Sequence, residues 1–290
     1  MRLGTRRFRA TRLVFGHGTS NARDEAAYLA LHALGLPPDA GPALLERPVS
    51  PRDARRVLAL FERRIHSRKP AAYLTGEAWL GDFRFHVDKR VIVPRSHIAA
   101  LLGNRLAPWI SRPASVKTAL DLCTGSGCLA VLLAHNFPRA SIDAADISPA
   151  ALAVAKINRQ RYGLRNRVRL VESDLFSALG GKQYDLIVCN PPYVTTRGIR
   201  RLPREYRHEP RAALAGGRDG LDLVRRVLGA ASRHLSPRGL LVVEVGAGRN
   251  AVEKAWPLVP FIWLDEDGGV FLLSHAELEA IAPAAAARAS

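Results

Sequence analysis

Thr118-Ala119-Leu120-Asp121-Leu122-Cys123-Thr124-Gly125-Ser126-Gly127-Cys128-Leu129-Ala130 decides how this chain folds. The stretch passes from an apolar run, through a turn holding two glycines, into a second apolar run. That is how a buried strand hands over to the helix behind it. Glycine lets backbone approach a ligand closely, because a Cβ would collide with it, and the carboxyl end of such a strand is where open α/β sheets bind ligands. Taken alone, the two glycines are equally well explained as a tight bend.

Working outward, short apolar runs alternate with helical patterns after Val116, which predicts an α/β domain with a parallel sheet. Strands are expected over 118–123, 141–145, 168–172, 184–189, 239–245, 261–264 and 270–274, with helices over 127–136, 149–162 and 221–235. Upstream, residues 20–35 read as a helix capped by Ser20 or Asn21, with Ala27, Tyr28, Leu31 and Leu34 on one stripe. Ser50-Pro51-Arg52-Asp53 starts another: a capping hydroxyl, proline at the first helical position and an acid three residues after the cap. Its apolar face is Val57, Leu58, Phe61 and Ile65. Residues 76–94 are rich in aromatic and β-branched residues, broken at Gly81-Asp82 and Asp88-Lys89, and read as a β-hairpin. The expected organisation is a helical domain over 1–75, a hairpin connector over 76–94 and an α/β domain over 95–290. An alanine-rich tail from Pro283 to Ser290 is expected to fray.

Of the 290 residues, 48% are hydrophobic and 24% charged, as in ordinary globular proteins. No apolar run approaches the ~20 residues that would span a bilayer. The arginine-rich start, Met1 to Arg12, lacks the apolar segment of a secretory signal, so a cytoplasmic protein is expected. Cys123, Cys128 and Cys189 form no paired metal-ligand spacing, so they read as structural thiols and no metal is expected. A net charge of +17 admits two readings, an RNA partner or arginines spread over solvated faces.

Two acids give the glycine turn its meaning. The second strand ends at Asp146, placed to accept the hydroxyls of a ribose. The third leads into Ser173-Asp174-Leu175-Phe176, which puts another acid at the same edge, within reach of an adenine amino group. Each acid alone could be a helix cap; together they describe an adenosine site, with Asp121, Cys123, Thr124, Gly125, Ser126 and Gly127 as its loop. The third glycine of a dinucleotide fingerprint is missing and no lysine follows the turn, which argues against phosphates in the ligand.

Asn190-Pro191-Pro192-Tyr193 then emerges from the fourth strand at this edge. The prolines fix φ and bias Asn190 towards an extended conformation, so the turn is stiff. An amide or exocyclic amine is a poor nucleophile because its lone pair is delocalised. Accepting its hydrogens on Asn190 Oδ1 and the Pro191 carbonyl would draw the nitrogen out of that delocalisation and aim it at a sulfonium methyl. Tyr193 can stack on the flat group. The expectation is methylation of a planar nitrogen from S-adenosylmethionine.

These motifs, together with Phe15-Gly16-His17-Gly18-Thr19, Ala72-Tyr73-Leu74-Thr75, Val93-Pro94-Arg95-Ser96 and Glu205-Tyr206-Arg207-His208-Glu209-Pro210, resemble the N5-glutamine methyltransferases. The resemblance runs from about Phe15 to Ser274 and is to the branch acting on the third large-subunit ribosomal protein. It implies a Rossmann-like methyltransferase sheet behind a small helical amino-terminal domain, with S-adenosylmethionine as cofactor. It implies a ribosomal protein as partner, free or in a ribosome assembly intermediate. Residues 123–127 and Asp146 would bind the cofactor, Asn190 to Tyr193 would hold the glutamine, and Leu175 stands where the sister branch has an aromatic adenine contact. Ser96-His97, Cys123 and Leu175 depart from the release-factor branch, which remains an alternative, as does an N6-adenine DNA or RNA methyltransferase. A non-catalytic RNA-binding module would leave these residues without a job. His208 and Glu209 read as an exposed loop ion pair rather than a substrate cover, and Arg95 either orients the site or pairs with an acid.

Overall fold

The computed structural model describes residues 2–37, 40–41, 44, 48–265 and 269–286. Among the described residues the helices α1 (Arg2–Ala10), α2 (Ala22–Leu34), α3 (Pro51–Ser67) and α4 (Ala71–Thr75) come first. The capping signals act as read. Asn21 accepts from the amides of Arg23 and Asp24, Ser50 accepts from Asp53 N, and Gly35 closes α2 in the left-handed region. Helix α1 was not anticipated, because its arginines obscure one apolar stripe; Phe8 is fully buried edge-on against Phe61.

The hairpin is shorter than its aromatic pattern suggests. Only β1 (Glu77–Leu80) and β2 (Phe83–His86) pair, and 87–94 continues without strand structure. A short helix, α5 (Ile98–Gly103), then leads to the sheet.

Seven strands form that sheet: β3 (Thr118–Leu122), β4 (Ser141–Asp146), β5 (Val168–Glu172), β6 (Tyr184–Cys189), β7 (Leu235–Glu244), β8 (Ile262–Trp263) and β9 (Val270–Ser274), in the order β5-β4-β3-β6-β7-β9-β8. The first five run parallel, β9 runs antiparallel to them, and the edge strand β8 pairs antiparallel with β9. Helices α6 (Cys128–Asn136) and α7 (Pro149–Arg161) cover one face. The other is covered by α9 (Asp222–Ala230) and α11 (His275–Ala286), and α8 (Thr196–Arg201) and α10 (Arg249–Ala255) lie in the connections. Alternation along the strands feeds both layers: Ala119, Leu186, Val188 and Val242 join one core, while Leu120, Leu122, Ile187, Cys189, Leu241 and Val243 join the other.

Strand β7 begins four residues before its expected start, because Ser236-Pro237-Arg238-Gly239 is carried as an irregularity. Leu235 pairs with Tyr184 and regular pairing resumes at Leu240 with Leu186. Proline cannot donate to a ladder, so it sits where the register shifts. Helix α11 extends to Ala286 and takes in residues assigned to the frayed tail; 287–290 lie outside the described residues. No helix among the described residues is long and apolar enough to cross a membrane.

Candidate active site

The turn after β3 is left-handed at Cys123, Gly125 and Gly127, with φ of 63°, 54° and 77°. Asp121 organises it from beneath. Its buried Oδ2 accepts from the Thr124 hydroxyl and from Ala130 N in the first turn of α6, while Oδ1 has no partner among the described residues. Burial pushes this carboxyl up to about 7. Asn158 of α7, which is fully buried, donates to Ser126 O at 2.8 Å and to His86 O at 3.0 Å, and accepts from His86 N at 2.7 Å. It ties turn, helix and hairpin together.

A cavity of about 290 Å³ opens at the carboxyl edge of the strands, near the lower end of ordinary small-molecule sites. Of the residues singled out in the sequence, Cys123, Gly125, Asp146, Asp174, Leu175, Asn190 and Pro192 line it; Asp121, Thr124, Ser126, Gly127, Pro191 and Tyr193 do not. Leu175 has φ of 51°, so two non-glycine residues of the wall, Cys123 and Leu175, hold a left-handed backbone. Such residues cost roughly 1–2 kcal/mol each and concentrate at ligand sites.

Asp146 accepts from Gly125 N at 2.8 Å through one oxygen and from Ser148 N at 2.9 Å through the other. Burial raises its pKa, although both amides oppose the shift. A carboxylate has about four acceptor positions, so two remain for hydroxyls. Asp174 is half-exposed at the rim and paired with Arg226 at 2.8 Å, which holds its carboxyl below the usual range. Exposed Ile147 adds an apolar surface beside Asp146.

Asn190 and Pro192 line the same cavity. Neither the Asn190 side chain nor the Pro191 carbonyl has a hydrogen-bond partner among the described residues. The turn is held from behind. Val194 N donates to Leu214 O at 2.8 Å and Gly216 N to Val194 O at 2.9 Å. A Cβ on Gly216 would lie 2.7 Å from Pro192 O and from Tyr193 Cα, so only glycine admits this approach. The Tyr193 ring packs on Gly246, and its hydroxyl lies 3.5 Å from Glu244 Oε1. Burial, with the nearby Glu244 charge, pushes that phenol up to about 12.

Two buried polar side chains that sequence reasoning did not single out help hold the site, Asn158 at the glycine turn and Glu244 behind Tyr193. Glu244, at the end of β7, accepts from the Ser96 hydroxyl at 2.5 Å and from His97 N at 2.9 Å. Glu209, read from sequence as half of an exposed loop pair, is instead 5% exposed and does not bond His208, whose Nε2 meets Ser67 O at 3.0 Å. Its carboxylate accepts from Val93 N at 2.9 Å and from both Arg95 terminal nitrogens at 2.5 and 2.7 Å, with His17 Nε2 at 3.7 Å. Burial works against ionisation here, yet the His17 and Arg95 contacts hold Glu209 down at about 2. Arg95 therefore pairs with an acid, its guanidinium 5.5 Å from the centre of the Tyr206 ring. The signal was present in sequence: Phe15 to Thr19, Val93 to Ser96 and Glu205 to Pro210 converge here, but their distance along the chain concealed it.

Comparison with known proteins gives concordant findings. Residues 103–203 match the methyltransferase small domain, and residues 9–76 match the PrmC N-terminal domain. A protein of Bordetella pertussis named ribosomal protein uL3 glutamine methyltransferase is 55% identical over 91% of this chain and 89% of its own length. One of the same name from Neisseria meningitidis serogroup B is 52% identical over 96% and 92%. Among solved structures, the catalytic domain of hMettl16 in complex with an RNA hairpin matches with a TM-score of 0.50 and 15% identity, covering 78% of this chain and 82% of that one, a likeness of fold alone.

Proposed function

This chain belongs to the family of the ribosomal protein uL3 glutamine methyltransferases, and from that premise we propose that it moves a methyl group from S-adenosylmethionine to the side-chain amide nitrogen, N5, of a glutamine in uL3. The observation that carries the reading is one cavity whose wall holds both Asp146 and an unpartnered Asn190, at the ends of the strands on either side of β3.

The residues fit the cofactor. Asp146 offers a carboxylate to two ribose hydroxyls, Ile147 and Leu175 offer apolar surface to a base, and no lysine follows the glycines to claim phosphates. When bound, S-adenosylmethionine supplies a methyl group on a cationic sulfur. Asp174 is within the same wall and would reach the base by exchanging part of its Arg226 contact. Asn190 Oδ1 and the Pro191 carbonyl would each accept one hydrogen of the acceptor amide, which fixes its plane and frees its lone pair. Asn190 needs no strong base beside it, since the amide becomes acidic only once it is alkylated. The prolines keep both acceptors in place before the substrate arrives, so catalysis is mainly positioning and electrostatics. Thr124, Ser126, Gly127 and Asp121 would act by shaping the loop, and Tyr193 by bracing the turn. A ribosomal acceptor would also set the reaction in the cytoplasm and would give the positive charge an RNA to meet.

The test is a competition. The protein is incubated with methyl-labelled S-adenosylmethionine, uL3, a release factor and RNA together, and products are digested for N5-methylglutamine. Label in a uL3 glutamine is expected; label confined to the release factor or to nucleic acid overturns the assignment.

A further inference from the structure

The segment that follows Asn190-Pro191-Pro192-Tyr193 carries six arginines, Arg197, Arg200, Arg201, Arg204, Arg207 and Arg211, and every one is exposed. Its two acids face the other way. Glu205 is buried against Arg68 at 2.9 Å and Val14 N at 3.2 Å, and Glu209 is buried against Arg95. None of the six arginines has a carboxylate within ion-pair range among the described residues. The fold thus consumes the negative charge of this segment internally and leaves the positive charge outside, where the cations repel one another and stabilise nothing.

An open cleft of about 510 Å³ adjoins it, walled by Arg207 and His208 of the segment and by Lys69, Lys89, Arg90 and Asp88. Asp88 is taken by Arg90, which leaves Lys69, Lys89 and Arg207 uncompensated. Arg90 also lines the cavity that holds Asn190 and Pro192, as do Pro210 of the segment and the adjoining Ala212 and Ala213. The cleft and that cavity therefore share a wall at Arg90.

We propose that the exposed arginines of 197–211 and the adjoining cleft bind phosphates of an RNA on which the acceptor protein is presented, so that the substrate is the protein on its RNA. This rests on the uL3 reading above. Guanidinium forks match phosphate in geometry as well as charge. A ribosomal protein meets RNA through cationic surface, and such a protein free in solution would be repelled by an enzyme of charge +17. Bound to RNA, it arrives with the polyanion that this face can hold.

The test compares the full-length protein with its Arg200→Ala/Arg204→Ala/Arg207→Ala variant. None of these side chains lines the cofactor cavity, so melting temperature and S-adenosylmethionine binding report whether the variant is intact. Affinity for a fluorescein-labelled RNA hairpin is measured against salt, with polyglutamate as a second probe, and methyl transfer is measured on free uL3 and on uL3 bound to ribosomal RNA. The parent should bind RNA well ahead of polyglutamate and methylate the complex faster. The variant should lose that preference, and its slope of log affinity against log salt should become shallower by about 2 to 3. Unchanged RNA affinity in the intact variant overturns the proposal. Polyglutamate binding as tight as RNA does so too, and points to an acidic protein partner. Absence of label from uL3 in either form strikes at the methyl acceptor instead, an outcome separate from the RNA titration.

Discussion

Asn190 is one residue whose proposed task rests on local chemistry alone, because a delocalised nitrogen demands a fixed acceptor and the two prolines that follow supply the fixing. Its unpartnered side chain in the cavity wall leads to a sharp expectation. Asn190→Ala should lower the rate of methyl transfer by about 10²-fold or more, the scale seen when one electrostatic contact to a reacting group is removed. Cofactor affinity should stay within a few-fold, as equilibrium binding would show. A large loss of cofactor affinity with the chemical step unchanged would contradict the role. The place of Asp146, at a strand end and in the cavity wall, was legible for the same local reason. Asp121 was not. Its carboxylate points into the protein and bonds Thr124 and Ala130, a direction that a run of letters does not contain.

Elements were legible where one periodicity held without interruption. Strands β5, β6 and β9 have the bounds their patterns gave, and α2 and α3 start at their capping residues. The reading fell short where signals overlapped: α1 is masked by arginine, and the first four residues of β7 by the proline it tolerates only at a shift of register. The turn from Asn190 to Tyr193 is braced by the loop at Gly216, which stands against backbone that cannot yield. Gly216→Ala should therefore displace Pro192 and Tyr193, costing about 1–3 kcal/mol in stability as overpacking does. Transfer should fall further than stability, seen as a lower kcat at a temperature where both proteins remain folded. Equal activity per folded molecule would show that the turn tolerates the shift.

At the scale of the whole molecule, the helical segment and the sheet are joined through buried charge. Arg64, fully buried, bonds Glu25 at 2.7 Å and Val14 O at 3.1 Å, Glu205 bonds Arg68, and Glu209 bonds Arg95 and Val93 N. Removing one partner of such a pair leaves the other uncompensated, which costs about 3 kcal/mol or somewhat more. Glu209→Ala should lower the melting temperature by about 6–12 °C. The sign of its pH dependence follows from the carboxyl being held at about 2 rather than 4.5. The pair's contribution is complete above the unfolded value and is lost as pH falls towards the folded one. The gap in stability between parent and variant should therefore narrow between pH 4.5 and about 2; a gap that stays constant would mean that packing, not charge, is lost. The sequence alone determined the alternation of the main strands and helices of the sheet, the glycine turn, the acids near the strand ends and the stiff tetrapeptide, because each depends on residues within a few positions of one another. Only the tertiary structure decided that Glu205 and Glu209 turn inward while the arginines around them turn outward, since which side of a loop is buried depends on Arg68, Arg95 and His17, which lie more than a hundred residues away in the chain.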